Sequence, residues 1–87
     1  MDNSLQVELR RSGYDADFSL VSLIEACGDD FIELQHPASG NARRFWYALA
    51  KADAPPWPHG VGTTPEEAVA RLWLALNNKA AALWRGP

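Results

Sequence analysis

The sequence predicts a single α+β domain, in which an antiparallel sheet of two or three strands is packed by two helices in the order α-β-β-α. The chain has 87 residues, of which 47% are hydrophobic and 22% charged, as expected for one small folded core. Two segments repeat apolar residues at helical spacing, and two segments between them alternate as strands do. We therefore expect one domain over residues 1–87, with any flexible parts confined to residues 1–16 and 79–87.

The first segment, residues 1–16, allows two interpretations. Leu5, Val7 and Leu9 alternate with polar residues, and the pattern stops at Gly13. A short strand and a frayed helix both fit this spacing, and either remains open.

Residues 18–27 predict the first clear helix. Apolar residues recur at i, i+3, i+4 and i+7, at Leu20, Leu23, Ile24 and Cys27. Asp17 or Ser19 can cap its start, and Gly28 can end it. Cys27, the only cysteine, lies on the apolar face and is expected to behave as a small hydrophobic residue.

A β-hairpin is predicted between this helix and the proline-rich part of the chain. Ile32 and Leu34 alternate with polar residues in the first strand. The second strand has apolar residues on both faces, with Phe45, Tyr47 and Leu49 on one and Trp46, Ala48 and Ala50 on the other. Strand side chains alternate between faces, so we expect helices to cover both faces of the sheet.

The segment "DAPPWPHGVG" predicts an irregular connector, because its prolines fix φ and remove backbone donors. Gly60 and Gly62 are expected to let this stiff segment turn into the next helix. A third strand could come from residues 5–10 or from the segment around Trp57.

The last helix is predicted over residues 64–78, with a defined start. Thr64 is the N-cap, Pro65 occupies N1, and Glu67 at N3 completes a capping box. One apolar stripe follows, formed by Val69, Leu72, Trp73, Leu76, Ala80 and Leu83. The helix ends at Asn77-Asn78 or continues as far as Trp84.

The motifs that carry chemistry are weak, and we expect neither an enzyme nor a cofactor. Gly60-Val61-Gly62 lacks the lysine of a phosphate loop, and carboxylates follow it. His36, His59 and Cys27 lack the short paired spacings of a metal site. The serines have no sequence context typical of a nucleophile.

Charge argues against nucleic acid as the main partner, since eight basic and eleven acidic residues give a net charge of −3. Arg43 and Arg44 beside Trp46 nevertheless resemble a small single-strand-binding patch, and this is kept as an alternative. A charged strand edge that prevents aggregation is the simpler interpretation. We expect no membrane span and a cytoplasmic location.

Exposed aromatic residues are the better indication of function. Trp57 lies between two prolines, with His59 close behind it, and Trp84 lies near the C-terminus. Leu74 falls on the flank of the last helix, away from its stripe. These four residues predict a surface for a protein partner or for self-association. The alternative is that Trp57 folds back over the sheet.

Two segments also resemble known families. The order of strand, Pro/Gly crossing and helix in "YALAKADAPPWPHGVGTTPEEAVARLWLAL" resembles HicB-like antitoxin domains. "IEACGD" and "TPEEAVARLWLAL" are similar to small uncharacterised phage and prophage proteins of the α/β-sandwich kind, which is the closer resemblance. It implies an accessory protein in a bacterial host cell that binds, and could inhibit, a host protein. The HicB-like resemblance implies an antitoxin or a nucleic-acid-associated regulator.

Overall fold

Three helices and one antiparallel sheet make up the fold in the computed structural model, which describes residues 1–36 and 45–77. The helices are α1 (Asn3–Arg11), α2 (Leu20–Cys27) and α3 (Pro65–Asn77), and the strands are β1 (Phe31–Gln35), β2 (Trp46–Ala50) and β3 (His59–Gly62). The spatial order of the strands is β1-β2-β3. The predicted α+β class is confirmed, and the N-terminal helix α1 is an addition to the predicted order of elements.

Helix α1 resolves the ambiguity in the first residues. Leu5 and Leu9, four residues apart, are both buried, whereas Val7 between them is 47% exposed. A strand would place all three on one face, but a helix groups only the first and third. The helix starts at Asp2, whose carboxylate accepts a hydrogen bond from the Ser4 amide at 3.3 Å.

The loop that follows α1 is held against the core by aromatic and cationic contacts. The Arg10 guanidinium donates to the carbonyls of Tyr14 at 3.0 Å and Ala16 at 2.7 Å. It also lies 4.4 Å from the ring centroid of Phe18. The Tyr14 ring meets Trp73 of α3 edge-on at 5.3 Å, so this loop is fixed to the last helix.

Helix α2 has the caps that the sequence predicts. The Ser19 hydroxyl accepts from the Ser22 amide at 3.2 Å, and Gly28 ends the helix with φ of 82°. Cys27 is buried against α3, and its thiol is 3.9 Å from the Val69 carbonyl oxygen. Burial raises the pKa of the Cys27 thiol to about 11, so it is a packing residue at neutral pH.

Helix α3 is the centre of the fold, since it contacts all three strands and both other helices. Its buried residues occupy most of its circumference: Ala68, Val69, Ala70, Leu72, Trp73 and Leu74. Leu74 is only 8% exposed, so the prediction that it lies on an exposed flank is wrong. That prediction assumed one apolar stripe, whereas a helix enclosed between a sheet and two other helices buries more than one side.

Strand β3 corrects the prediction of an irregular Gly-rich connector. Gly60 pairs with Ala48 and Gly62 with Trp46 in a regular antiparallel register. A Cβ on Gly62 would lie 2.7 Å from the Ala68 amide nitrogen, and one on Gly60 would overlap the backbone of α3. These glycines therefore allow the strand and helix backbones to approach closely, and do not serve to turn the chain.

Strand β1 contains a bulge that the alternation of its sequence does not reveal. The register with β2 shifts between Phe31 and Glu33, leaving Ile32 as the extra residue. Ile32 is 44% exposed, while Leu34 packs against the core. The predicted strand is present, and the bulge separates Ile32 from Leu34 although the two alternate with polar residues in the sequence.

The two faces of the sheet have different surroundings. Ala48 and Ala50 are fully buried under α3. Tyr47 and Leu49 point the other way, and within residues 1–36 and 45–77 they do not belong to the core. The prediction that helices cover both faces is wrong for this part of the chain, because α1 and α2 pack onto α3.

Candidate partner-binding surface

The face of the sheet turned away from α3 is the candidate site. The strand register puts six residues on it, two from each strand, which we call the open face: Glu33, Gln35, Tyr47, Leu49, His59 and Val61. They form two rows across the sheet, because Glu33 and His59 both pair with Leu49, and Gln35 and Val61 both pair with Tyr47.

Apolar and aromatic groups dominate the middle and one side of the open face. The rings of Tyr47 and His59 stack at 5.6 Å, with an angle of 14° between their planes. Val61 is 38% exposed, and Phe45, which precedes β2, is 45% exposed. The open face therefore presents partly exposed aromatic and apolar side chains to solvent, and exposed apolar surface is a feature of interaction sites.

The backbone of Trp57 contacts the open face through His59. The His59 Nδ1 atom lies 3.4 Å from the carbonyl oxygen of Trp57, and the Trp57 side chain is 38% exposed. Of the two interpretations of Trp57, the structure favours the exposed one. Two of the four predicted partner-binding residues thus lie together at the β3 side of the sheet.

The other predicted partner-binding residues do not join them. Leu74, on α3, belongs to the core. Trp84 lies outside the described residues.

Of the alternative nucleic-acid patch, the structure describes only Trp46. Arg43 and Arg44 lie outside the described residues. Trp46 is half-buried on the face that α3 covers, packed against the core and stacked on His36 at 4.5 Å. Its ring is therefore turned away from the open face.

Polar groups border the open face on the β1 side. The Gln35 amide donates to the Glu33 carboxylate at 2.8 Å. The β1 side is thus acidic, whereas the β3 side carries the imidazole of His59.

The outer edge of β3 is partly closed by α3. The Arg71 guanidinium donates to the Val61 carbonyl at 2.8 Å and lies 3.8 Å from the Glu67 carboxylate. Because this carbonyl already has a partner, the edge of β3 is a poorer template for an added strand than a bare edge would be.

The start of α3 is a cap, with one difference from the predicted capping box. The Thr64 hydroxyl accepts from the Glu67 amide at 3.1 Å, and Pro65 is the first helical residue. The Glu67 carboxylate, however, accepts from the amide of Thr63 at 3.1 Å and from its hydroxyl at 3.0 Å, one residue before the N-cap. These bonds, that from the Thr63 amide above all, lower the pKa of Glu67.

Metal-ligating side chains and one surface cleft can be surveyed over residues 1–36 and 45–77. No group of three or more His, Cys, Asp or Glu side chains among them could hold a metal ion. A cleft of about 430 Å³ at one end of the sheet is lined by Asp30, Lys51, Ala52, Asp53, Pro58 and Leu76. Two carboxylates and one ammonium group line this cleft, and its lining residues include no histidine, serine, threonine or cysteine.

Sequence reasoning missed five residues of the open face: Glu33, Gln35, Tyr47, Leu49 and Val61. Tyr47 and Leu49 were placed on a shared face, but that face was expected to be covered. The signal for β3 is the alternation in "HGVG", in which glycine occupies every second position.

The chain matches no protein-family model, no curated protein and no solved structure. None of the helices in residues 1–36 and 45–77 is long and apolar enough to cross a membrane.

Proposed function

We propose that this chain is a non-enzymatic protein-binding module and that the open face, together with Trp57, is its binding surface. The observation that supports this most directly is a sheet face bearing Tyr47, Leu49 and Val61 that no described helix covers. A large exposed apolar patch loses unfavourable contact with water when a partner covers it. The accessory role of phage or prophage type, with a bacterial host protein as target, is part of the same proposal.

Site-specific photo-crosslinking in bacterial cells tests the proposal. A photo-crosslinking residue at position 61 of the full chain places the reactive group on the open face. Position 21 is the matched control, because Val21 is 66% exposed on α2, away from the sheet. We expect discrete protein adducts from position 61 that are absent from position 21.

Substitutions then establish whether the adducts depend on the open face. Leu49→Asp and Trp57→Ala should each reduce the adducts from position 61 by at least fivefold. Circular dichroism and urea unfolding check that each variant is folded. Leu74→Asp is unsuitable, because it would place a carboxylate in the core.

Three results would contradict the proposal: equal adducts from both positions, no adducts at all, or adducts that persist in the folded variants. Adducts that disappear on nuclease treatment would instead favour the alternative, a nucleic-acid-associated regulator of the HicB-like kind.

A further inference from the structure

The open face has opposite polarity at its two sides and an apolar middle. In one row Leu49 lies between Glu33 on β1 and His59 on β3. In the next row Tyr47 lies between Gln35 and Val61. A partner that fits this face needs apolar groups over β2, a donor over β1 and an acceptor over β3.

A second copy of the same face meets that requirement in one orientation. A twofold axis that runs parallel to β2 and lies above it places β1 of each copy over β3 of the other. Because paired residues lie at the same height along the strands, Glu33 then faces His59 of the second copy. The contact occurs twice, since a twofold interface repeats every pair. Leu49 and Tyr47 each meet their own equivalents over the axis.

The other face-to-face twofold arrangement is less favourable. An axis that runs across the strands places β1 over β1 and β3 over β3, so the acidic sides of the two copies lie together and His59 has no carboxylate opposite it. Like charges across an interface oppose association, whereas a carboxylate opposite an imidazole is complementary. A histidine donates a hydrogen bond from a ring nitrogen, and in its protonated form it is also a cation.

The geometry points to self-association: the open face binds a second copy of this chain in a twofold, face-to-face dimer, with a Glu33–His59 contact at each side. This inference rests on the proposal that the open face binds a protein, and it names that protein as a second copy of this chain in place of a host protein. Pairing through the outer edge of β3 is disfavoured, because Arg71 already occupies the Val61 carbonyl. Three short strands give a small interface, so we expect a weak dimer with a dissociation constant on the order of micromolar or above.

Analytical ultracentrifugation of the full chain over a dilution series tests the inference by charge reversal. His59→Glu should weaken the dimer at least tenfold, because two carboxylates would then face each other. Glu33→Lys should weaken it by a smaller factor. The double variant re-forms the pair with reversed polarity, and its dissociation constant should return to within about threefold of the wild type.

Two further variants compare the same added charge at the proposed interface and away from it. Leu49→Asp should abolish the dimer because its carboxylate meets its own equivalent near the axis. Val21→Asp, which introduces the same charge on α2, should leave the dimer unchanged. A wild-type chain that stays monomeric at millimolar concentration, or a double variant weaker than both single variants, overturns the inference.

Photo-crosslinking from position 61 in a mixture of ¹⁴N- and ¹⁵N-labelled chains, with bacterial lysate added, identifies the occupant. Mixed-isotope adducts between two copies support the dimer. Adducts that join position 61 to residues 78–87 of the same chain, or only to a different protein, overturn it. In the last case the proposed function holds while the dimer fails, and if no adduct forms both fail.

Discussion

The face of the sheet that α3 covers carries smaller residues than the open face, although large apolar residues are usually expected on the side of the core. The covered face of β2 and β3 is built mainly from small residues, including Ala48, Ala50, Gly60 and Gly62, whereas the open face carries Tyr47, Leu49 and Val61. The covered face is small because α3 supplies the large side chains and its backbone lies close to the glycines. Residue size along a strand therefore does not identify the side on which the core lies.

The largest difference between the two faces should appear when alanine is placed at neighbouring positions of β3. Gly60→Ala forces a Cβ into the backbone of α3, so we expect it to lower the free energy of unfolding by about 3 kcal/mol or more. Val61→Ala, in the next position but on the open face, should cost less than about 1 kcal/mol. Urea unfolding followed by circular dichroism measures both.

If Gly60→Ala proves as mild as Val61→Ala, α3 does not lie as close to β3 as the structure has it. Gly62→Ala provides an independent check, since its Cβ would also meet the start of α3.

Truncation of a leucine should give the next largest difference. Leu72 is fully buried beneath the sheet, so Leu72→Ala should destabilise the protein by about 2 to 5 kcal/mol. Leu49→Ala removes the same atoms from the half-buried open face and should cost about 1 kcal/mol. Equal losses, measured by urea unfolding, would mean that the open face is packed like a core.

The smallest effect on the free energy of unfolding is expected at the N-terminal cap of α3, which lies on neither face of the sheet. Thr64→Ala removes the acceptor for the Glu67 amide and should cost about 1 kcal/mol, whereas Thr64→Ser keeps a hydroxyl and should cost less. A cap without energetic importance would make the two variants equal in thermal unfolding.

The same cap gives a pH dependence. The pKa of Glu67 is lowered in the folded chain, so its contribution is fully present above the pKa of an unfolded glutamate, about 4.3. That contribution is lost as the pH falls further, through the folded pKa. Glu67→Gln should therefore reduce the difference in stability between pH 6 and pH 3.

Local patterns in the sequence were sufficient for the caps and the class of fold. Ser19 and Gly28 bound α2, and Thr64 and Pro65 begin α3, because capping depends on a few neighbouring residues. The alternation in β2 placed Tyr47 and Leu49 opposite Ala48 for the same reason. These features need no knowledge of the rest of the chain.

Tertiary structure alone decided which surfaces are buried and which are left open. The sequence of α3 reads as one stripe, yet Leu74 outside that stripe is also buried, because α3 is in contact with all three strands and with both other helices. The glycines of β3 suit a turn as well as a strand, and only the close approach of α3 distinguishes the two. Burial depends on contacts between residues far apart in the chain, so the open face emerges only when the helices are placed on one side of the sheet.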